Sequence, residues 1–298
     1  MRKISIQFLM IVLLVSCSKQ DKNILLLKAY SNDDYAKCLD ILRDGADGRI
    51  DFLEPNHPIL FDICRKYLDT EKRSREIEEL FVFYLENRKK AFEDSIRGIY
   101  PKQTIGSYLA RFASDELLKQ IAQEKININS SEERDYNTVM FELARIRKGM
   151  PIRSDFYDNL AVNENEKKER MELLLEAGAD VTLIHDKMKA TIFHAFIWYP
   201  MEEDYTELLD RMIEKGADLF QKDANGHSCI SYKVQFYALE SNTEAYLAYV
   251  ISRGLEVTEE DLDEFYARWA RYMRGDKVTG EELRRLEKIE KLLEENVK

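Results

Sequence analysis

Cys38-Leu39-Asp40-Ile41-Leu42-Arg43-Asp44-Gly45-Ala46-Asp47 compresses a helix face and a helix ending into ten residues. Its apolar residues stand seven, four and three places before the glycine, so they share one side of a helix. The glycine supplies the left-handed residue that ends such a helix. The pattern returns as Met171…Leu174-Leu175…Gly178-Ala179-Asp180 and as Leu209…Met212-Ile213…Gly216-Ala217-Asp218. In a fourth copy, Leu247…Val250-Ile251…Gly254, Leu255-Glu256 replaces Ala-Asp. The last three glycines are each 38 residues apart. A fixed period of that size predicts stacked helical repeats, which bind more often than they catalyse.

Two weaker copies keep the apolar register without the glycine. Leu80, Phe83 and Tyr84 lead to Asn87; Leu118, Ile121 and Ala122 lead to Lys125. Asparagine is the best non-glycine choice for a left-handed helix end, and lysine a poorer one. The copy at Lys125 is therefore expected to be the least regular. The six endpoints are spaced by 42, 38, 53, 38 and 38 residues. The 53-residue interval places a surplus at Arg147 to Asn165, whose Gly149, Pro151, Asp155, Asn159 and Asn163 read as a loop. That loop also carries Met150, Ile152, Phe156 and Tyr157. Two readings stand: a binding loop, or an insertion that folds its apolar residues onto the stack.

A second signature follows three of the glycines by twelve or thirteen residues. It reads Thr191-Ile192-Phe193-His194-Ala195-Phe196, then Asp223-Ala224-Asn225-Gly226-His227-Ser228, and in the first copy His57-Pro58-Ile59-Leu60. Thr104-Ile105 and Thr138-Val139-Met140-Phe141 look like further copies. Together the two signatures resemble the ankyrin repeat. That family has an Asp-x-x-Gly-x-Thr-Pro-Leu-His-x-Ala turn and first helix, then a second helix ending in Leu-Leu-x-x-Gly-Ala-Asp. Serine replaces threonine at 228, and Ile192 stands where proline is usual. The resemblance covers about 25–260, is strong from 171 to 256, and is degenerate before 140.

The resemblance implies an all-α ankyrin-repeat solenoid of about six degenerate helix pairs over 24–256. Residues 257–298 read as a C-terminal helical cap. Thr258-Glu259-Glu260-Asp261 starts one helix with acids at its positive end. Thr279-Gly280-Glu281-Glu282 fits a capping box for a second, with Leu283, Leu286, Ile289, Leu292 and Leu293 on one side. His194 would bridge to backbone or to Thr191. In ankyrin proteins the partner meets the turn tips and the exposed side of the first helices. This maps onto His185, Lys187, Lys189, Gln221, Lys222, Asn225 and His227 at the tips. On the helices it maps onto Trp198, Tyr199, Gln235 and Phe236. Trp198 and Tyr199 either face outward as interface anchors or pack on a neighbouring helix.

The start of the chain reads as an export signal. Arg2 and Lys3 precede a mostly apolar run from Ile4 to Val15, too short to span a membrane comfortably. Leu14-Val15-Ser16-Cys17 resembles a bacterial lipobox. That resemblance implies diacylglycerol on Cys17, with residues 1–17 as lipoprotein signal peptide and 18–23 as a short tether. A plain signal peptide or an uncleaved anchor is the rival reading. Ser18, where aspartate would favour the inner membrane, points to the outer one. The implied location is the bacterial envelope, facing the periplasm.

The chain has 298 residues, net charge −11, 34% charged residues, and only 11 Gly and 5 Pro, which favours a helical protein. An acidic body argues against nucleic acid as partner, since phosphate binding needs clustered Lys and Arg. It suits a basic protein partner, and equally serves solubility. Of the four histidines, His57, His185, His194 and His227, no two have the helical spacing of a zinc pair. No phosphate-binding glycine loop or Gly-x-Ser-x-Gly elbow is present. The expectation is a non-enzymatic protein without cofactor or metal that binds another protein. An immunity protein neutralising a delivered toxin is one version. An envelope scaffold or assembly factor is the alternative, and an enzyme or small-ligand module a third class. Cys38, Cys64 and Cys229 are expected as buried thiols.

Overall fold

The computed structural model describes residues 21–50, 57–94, 104–129, 139–144, 167–183, 189–196, 204–239, 242–274 and 278–298. The chain is all-helical. Fourteen α-helices hold nearly all the regular structure of these residues. Beside them stand a 3-10 turn, Lys89–Glu93, and a two-residue antiparallel pairing of Arg49–Ile50 (β1) with His57–Pro58 (β2). The chain divides into two compact units, Met1–Glu133 and Arg134–Lys298.

The first unit carries α1 (21–31), α2 (Tyr35–Arg43), α3 (Ile59–Leu68), α4 (Arg75–Asn87), α5 (Ile105–Phe112) and α6 (Asp115–Gln123). α4 packs on α2 and α3, and α3 on α5. The second unit carries α7 (Val139–Ala144), α8 (Lys167–Glu176), α9 (Ile192–Ala195), α10 (Thr206–Glu214), α11 (Cys229–Tyr237), α12 (Thr243–Ser252), α13 (Glu259–Arg274) and α14 (Gly280–Asn296). Here α7, α9, α11 and α13 pack in succession as one layer. In the other layer α8 packs on α10 and α12 on α14, while α7–α8, α11–α12 and α13–α14 join the layers. An amphipathic helix with one apolar stripe needs such a neighbour to cover it.

The apolar register read from the sequence is buried throughout at its position seven before the endpoint. Of the residues four and three before it, one at each end is only half-buried, except in α8, where Leu174 and Leu175 are both buried. Cys38, Leu80, Leu118, Met171, Leu209 and Leu247, each seven before an endpoint, are fully buried. Five of the six helix ends then close identically. At each, the endpoint N–H donates three residues back and the next N–H donates five residues back, as in Gly216 to Ile213 O (2.8 Å) and Ala217 to Met212 O (3.0 Å). The same pair of bonds closes α2 at Gly45, α6 at Lys125, α8 at Gly178 and α12 at Gly254. These bonds satisfy carbonyls that a helix end leaves without partners.

The two non-glycine ends reverse the expected ranking. Lys125 adopts φ 54° and makes both closing bonds, Lys125 N to Ala122 O and Ile126 N to Ile121 O, each 3.1 Å. Asn87 stays helical as the last residue of α4, its Nδ2 donating to Phe83 O at 3.0 Å. The helix stops one residue later, at Arg88, whose φ is −141°. A long-range contact accounts for this. Arg88 Nη2 donates to Leu42 O at the end of α2 (2.8 Å), and the following 3-10 turn buries Phe92.

Hydroxyl caps start several helices. Thr104, Ser74, Ser114 and Ser228 accept backbone N–H groups at α5, α4, α6 and α11. Thr279 and Glu282 form the expected capping box of α14. Leu286, Ile289 and Leu293 of that helix are buried, with Leu283 and Leu292 half-buried. Asp261, in the first turn of α13, is not a solvated acid like Glu259 and Glu260. It is buried, accepting Thr258 N and Oγ1 (both 2.8 Å) and Ser231 Oγ from α11 (2.5 Å). Cys38, Cys64 and Cys229 are buried free thiols, and burial pushes Cys38 and Cys229 up to about 12. The expected lipobox cysteine, Cys17, and the 147–165 insertion lie outside the described residues.

Candidate binding surface

The second unit carries a loop tip, residues 223–227, that is closed by its own hydrogen bonds. Asp223 is buried and gathers the loop around itself. Its Oδ1 accepts Asn225 N (2.8 Å) and His227 N (2.9 Å), while Oδ2 lies 3.3 Å from His227 Nδ1. Burial works to raise its pKa, but the backbone N–H groups of His227 and Asn225 outweigh it and hold the carboxyl below its ordinary value. Asp223 N and His227 O close the loop at 2.9 Å.

His194 links this tip to the helix before it. Its Nδ1 accepts Thr191 N at 3.1 Å, completing a capping box with the Thr191 hydroxyl. Nε2 then carries the proton and donates to His227 O at 3.3 Å. Burial, the largest influence, lowers the imidazole's pKa below its ordinary 6.5. The ring is a neutral structural bridge.

From His194 a row of rings leads outward. The Tyr232 ring meets His194 edge-on at 5.5 Å, and Phe236 follows at 4.8 Å and 49°. Phe236 is 47% exposed. The first unit repeats the row. Phe61 of α3 meets Tyr108 of α5 edge-on at 5.0 Å, and Phe112 follows at 4.7 Å and 48°. In both units the rings occupy the same places, three residues past the residue that precedes one helix and four and eight past the hydroxyl cap of the next. α3 itself carries Lys66 at the eighth place, with its ammonium over the rings of Tyr30 (4.8 Å) and Tyr35 (4.7 Å).

The residues expected to meet a partner fall into three groups. Lys189, Lys222, Asn225 and Phe236 are exposed. Gln221, His227 and Gln235 are half-buried and engaged within the chain. Gln221 donates to Lys222 O (2.6 Å), His227 is bound to Asp223, and Gln235 Nε2 reaches Glu264 Oε2 of α13 (3.3 Å). His185, Lys187, Trp198 and Tyr199 lie outside the described residues.

Three exposed apolar residues of this unit escaped the sequence reading: Phe220 (60% exposed), Met273 (55%) and Tyr266 (38%). Phe220 stands in the turn that Asp218 Oδ1 holds by accepting the N–H groups of Phe220 and Gln221 (2.8 and 3.1 Å). Tyr266 had a signal. It stands eight residues past the cap at Thr258, as Phe236 does past Ser228 and Phe112 past Thr104.

Charge is unevenly shared. Arg134–Lys298 has 34 acidic and 24 basic side chains, against 22 and 21 in Met1–Glu133. The second unit also buries two of its lysines. Lys167 Nζ donates to Ala144 O (3.1 Å) over the Phe196 ring, and Lys233 Nζ donates to Phe196 O. Buried Asp223 and Asp261 offset these two lysines, so the unit's solvent-facing charge keeps the acidic excess of its composition. Exposed Glu259, Glu260 and Asp263 lie on α13, which also carries Tyr266.

Among the described residues, no group of three His, Cys, Asp or Glu side chains is arranged to hold a metal. No helix among them is long and apolar enough to cross a membrane. No protein-family model matches the chain, and no curated protein matches it.

Proposed function

We propose that this chain is a lipid-anchored, ankyrin-type repeat protein that holds a basic protein partner at the periplasmic face of a bacterial envelope. One observation carries the binding claim. Exposed aromatics of the first helices, Phe236 and Tyr266, stand within the unit that holds the acidic excess. Aromatic anchors beside complementary charge are the usual material of protein interfaces. The ankyrin reading draws support from the five identical helix ends, the paired helices and the His194 bridge. In that reading α13 and α14 form the end cap. Anchoring rests on the lipobox-like Leu14-Val15-Ser16-Cys17.

The specific version we favour is an immunity protein that neutralises a basic toxin reaching the periplasm. Deleting the gene tests it. Sensitivity to a toxin encoded beside it, restored to resistance by the wild-type chain but not by Phe236→Asp, supports this version. Unchanged resistance in the deletion strain overturns it and leaves an envelope scaffold as the role. Purified full-length chain that turns over an added substrate and captures no protein would overturn binding itself.

A further inference from the structure

α1 presents an apolar pair to solvent where a core would ordinarily claim it. Ile24 is 54% exposed and Leu25 52%. Asp21, Ile24, Leu25, Lys28 and Ser31 form the exposed stripe, while Leu26 and Ala29 are buried on the other side. The roll of the helix is fixed at its first turn. Lys22 Nζ donates to Asp44 O (2.7 Å) and pairs with the Asp44 carboxylate (3.0 Å). Asn23 and Asp47 bond reciprocally, Asn23 Nδ2 to Asp47 Oδ1 (2.5 Å) and Asp47 N to Asn23 Oδ1 (3.1 Å). The first Gly-Ala-Asp loop thus clamps α1 so that Ile24 and Leu25 face outward.

Chain length says what meets them. Three residues, Ser18, Lys19 and Gln20, separate Cys17 from Asp21. An extended chain of that length spans at most about 14 Å between the flanking Cα atoms. Four further residues of helix bring Leu25 about 6 Å along the axis. Any bilayer holding acyl chains on Cys17 is therefore within roughly 20 Å of Leu25.

Resting on the acylation of Cys17 proposed above, we infer that Ile24 and Leu25 dock into the lipid surface as a second contact beside the anchor. The occupant of this face is the bilayer. Apolar side chains of an amphipathic helix enter the boundary between headgroups and acyl chains, and Lys28 on the same stripe can reach the headgroup phosphates. Two attachments in place of one would fix how the first unit faces the periplasm.

The test uses the full chain made in a lipoprotein-processing host, its N-terminal mass measured, then reconstituted into vesicles with brominated acyl chains. A tryptophan at the docking face (Leu25→Trp) is compared with one on exposed α6 (Lys119→Trp); Trp198 and Trp269 are common to both. The expected result is a blue-shifted L25W emission that bromine quenches, with K119W neither shifted nor quenched. Equal, unquenched emission from both variants on an acylated, vesicle-bound chain overturns the docking face and leaves the anchor standing. An unacylated Cys17 overturns the anchor reading, and the docking inference with it.

Discussion

The rings of Tyr232 and Phe236 stand 4.8 Å apart at 49°, one helical turn apart on α11, and Phe236 keeps 47% of its surface in solvent. Tyr232 also leans on His194, so the pair is rooted in the core at one end and open at the other. A rigid aromatic costs little entropy to immobilise and carries large contact area. Phe236→Ala should leave folding stability within about 0.5 kcal/mol, as for an exposed site. It should weaken partner binding by about 2 kcal/mol, or roughly 30-fold. Thermal unfolding of the variant and titration of the captured partner check the two halves separately.

Helix ends supply a paired prediction. Lys125 holds a left-handed φ of 54° that glycine adopts freely, whereas Asn87 is inside a helical turn. Lys125→Gly should raise stability by roughly 0.5–1 kcal/mol, the relief of strain exceeding the entropy glycine adds to the unfolded chain. Asn87→Gly should lower it by several tenths of a kcal/mol. Denaturant unfolding of both variants checks the opposite signs.

The His194 bridge predicts a pH dependence. Its folded-state pKa is depressed below 6.5, chiefly by burial, so between the two values the unfolded chain binds the proton and the folded chain does not. This contribution is complete above pH 6.5 and is lost as pH falls toward the folded-state value. Unfolding measured at pH 7.5 and 5.5 should show wild type weakening on acidification. His194→Ala should be less stable at pH 7.5 by about 2 kcal/mol and show a shallower fall.

Asp261 joins two helices of the second unit. Its carboxylate takes the hydroxyls of Ser231 and Thr258 and the Thr258 N–H. Asp261→Ala leaves these donors without their acceptor and should cost about 2–4 kcal/mol. Asp261→Asn keeps an acceptor oxygen and should cost less. Chemical denaturation of both variants tests the order.

What the sequence disclosed was local. The buried face of each second helix follows from spacing within one helix, and hydroxyl caps bond to N–H groups two or three residues away. Glycine ends were legible for the same reason. Asn87 was not, because its fate depends on Arg88 reaching Leu42 O, 46 residues back. Gln235 looked free on α11 until Glu264 of the next layer helix met it. The burial of Asp261 was not legible either, because Ser231, 30 residues earlier, supplies a partner that permits it. Of the candidate surface, the exposure of the tip residue Asn225 and of Phe236 could be read from register. Phe220 and Met273 could not, since nothing in an apolar residue's identity says that a core will leave it outside.

A photo-crosslinking side chain placed at Phe236, in the full chain in living cells, tests the central claim most directly. The same group at Ala248, exposed on α12, serves as its control. The account predicts a protein adduct from position 236 and none from 248, with the adduct diminished at raised ionic strength, which screens an acidic surface from a basic partner. Adducts of equal yield from both positions, or none from 236, would contradict it.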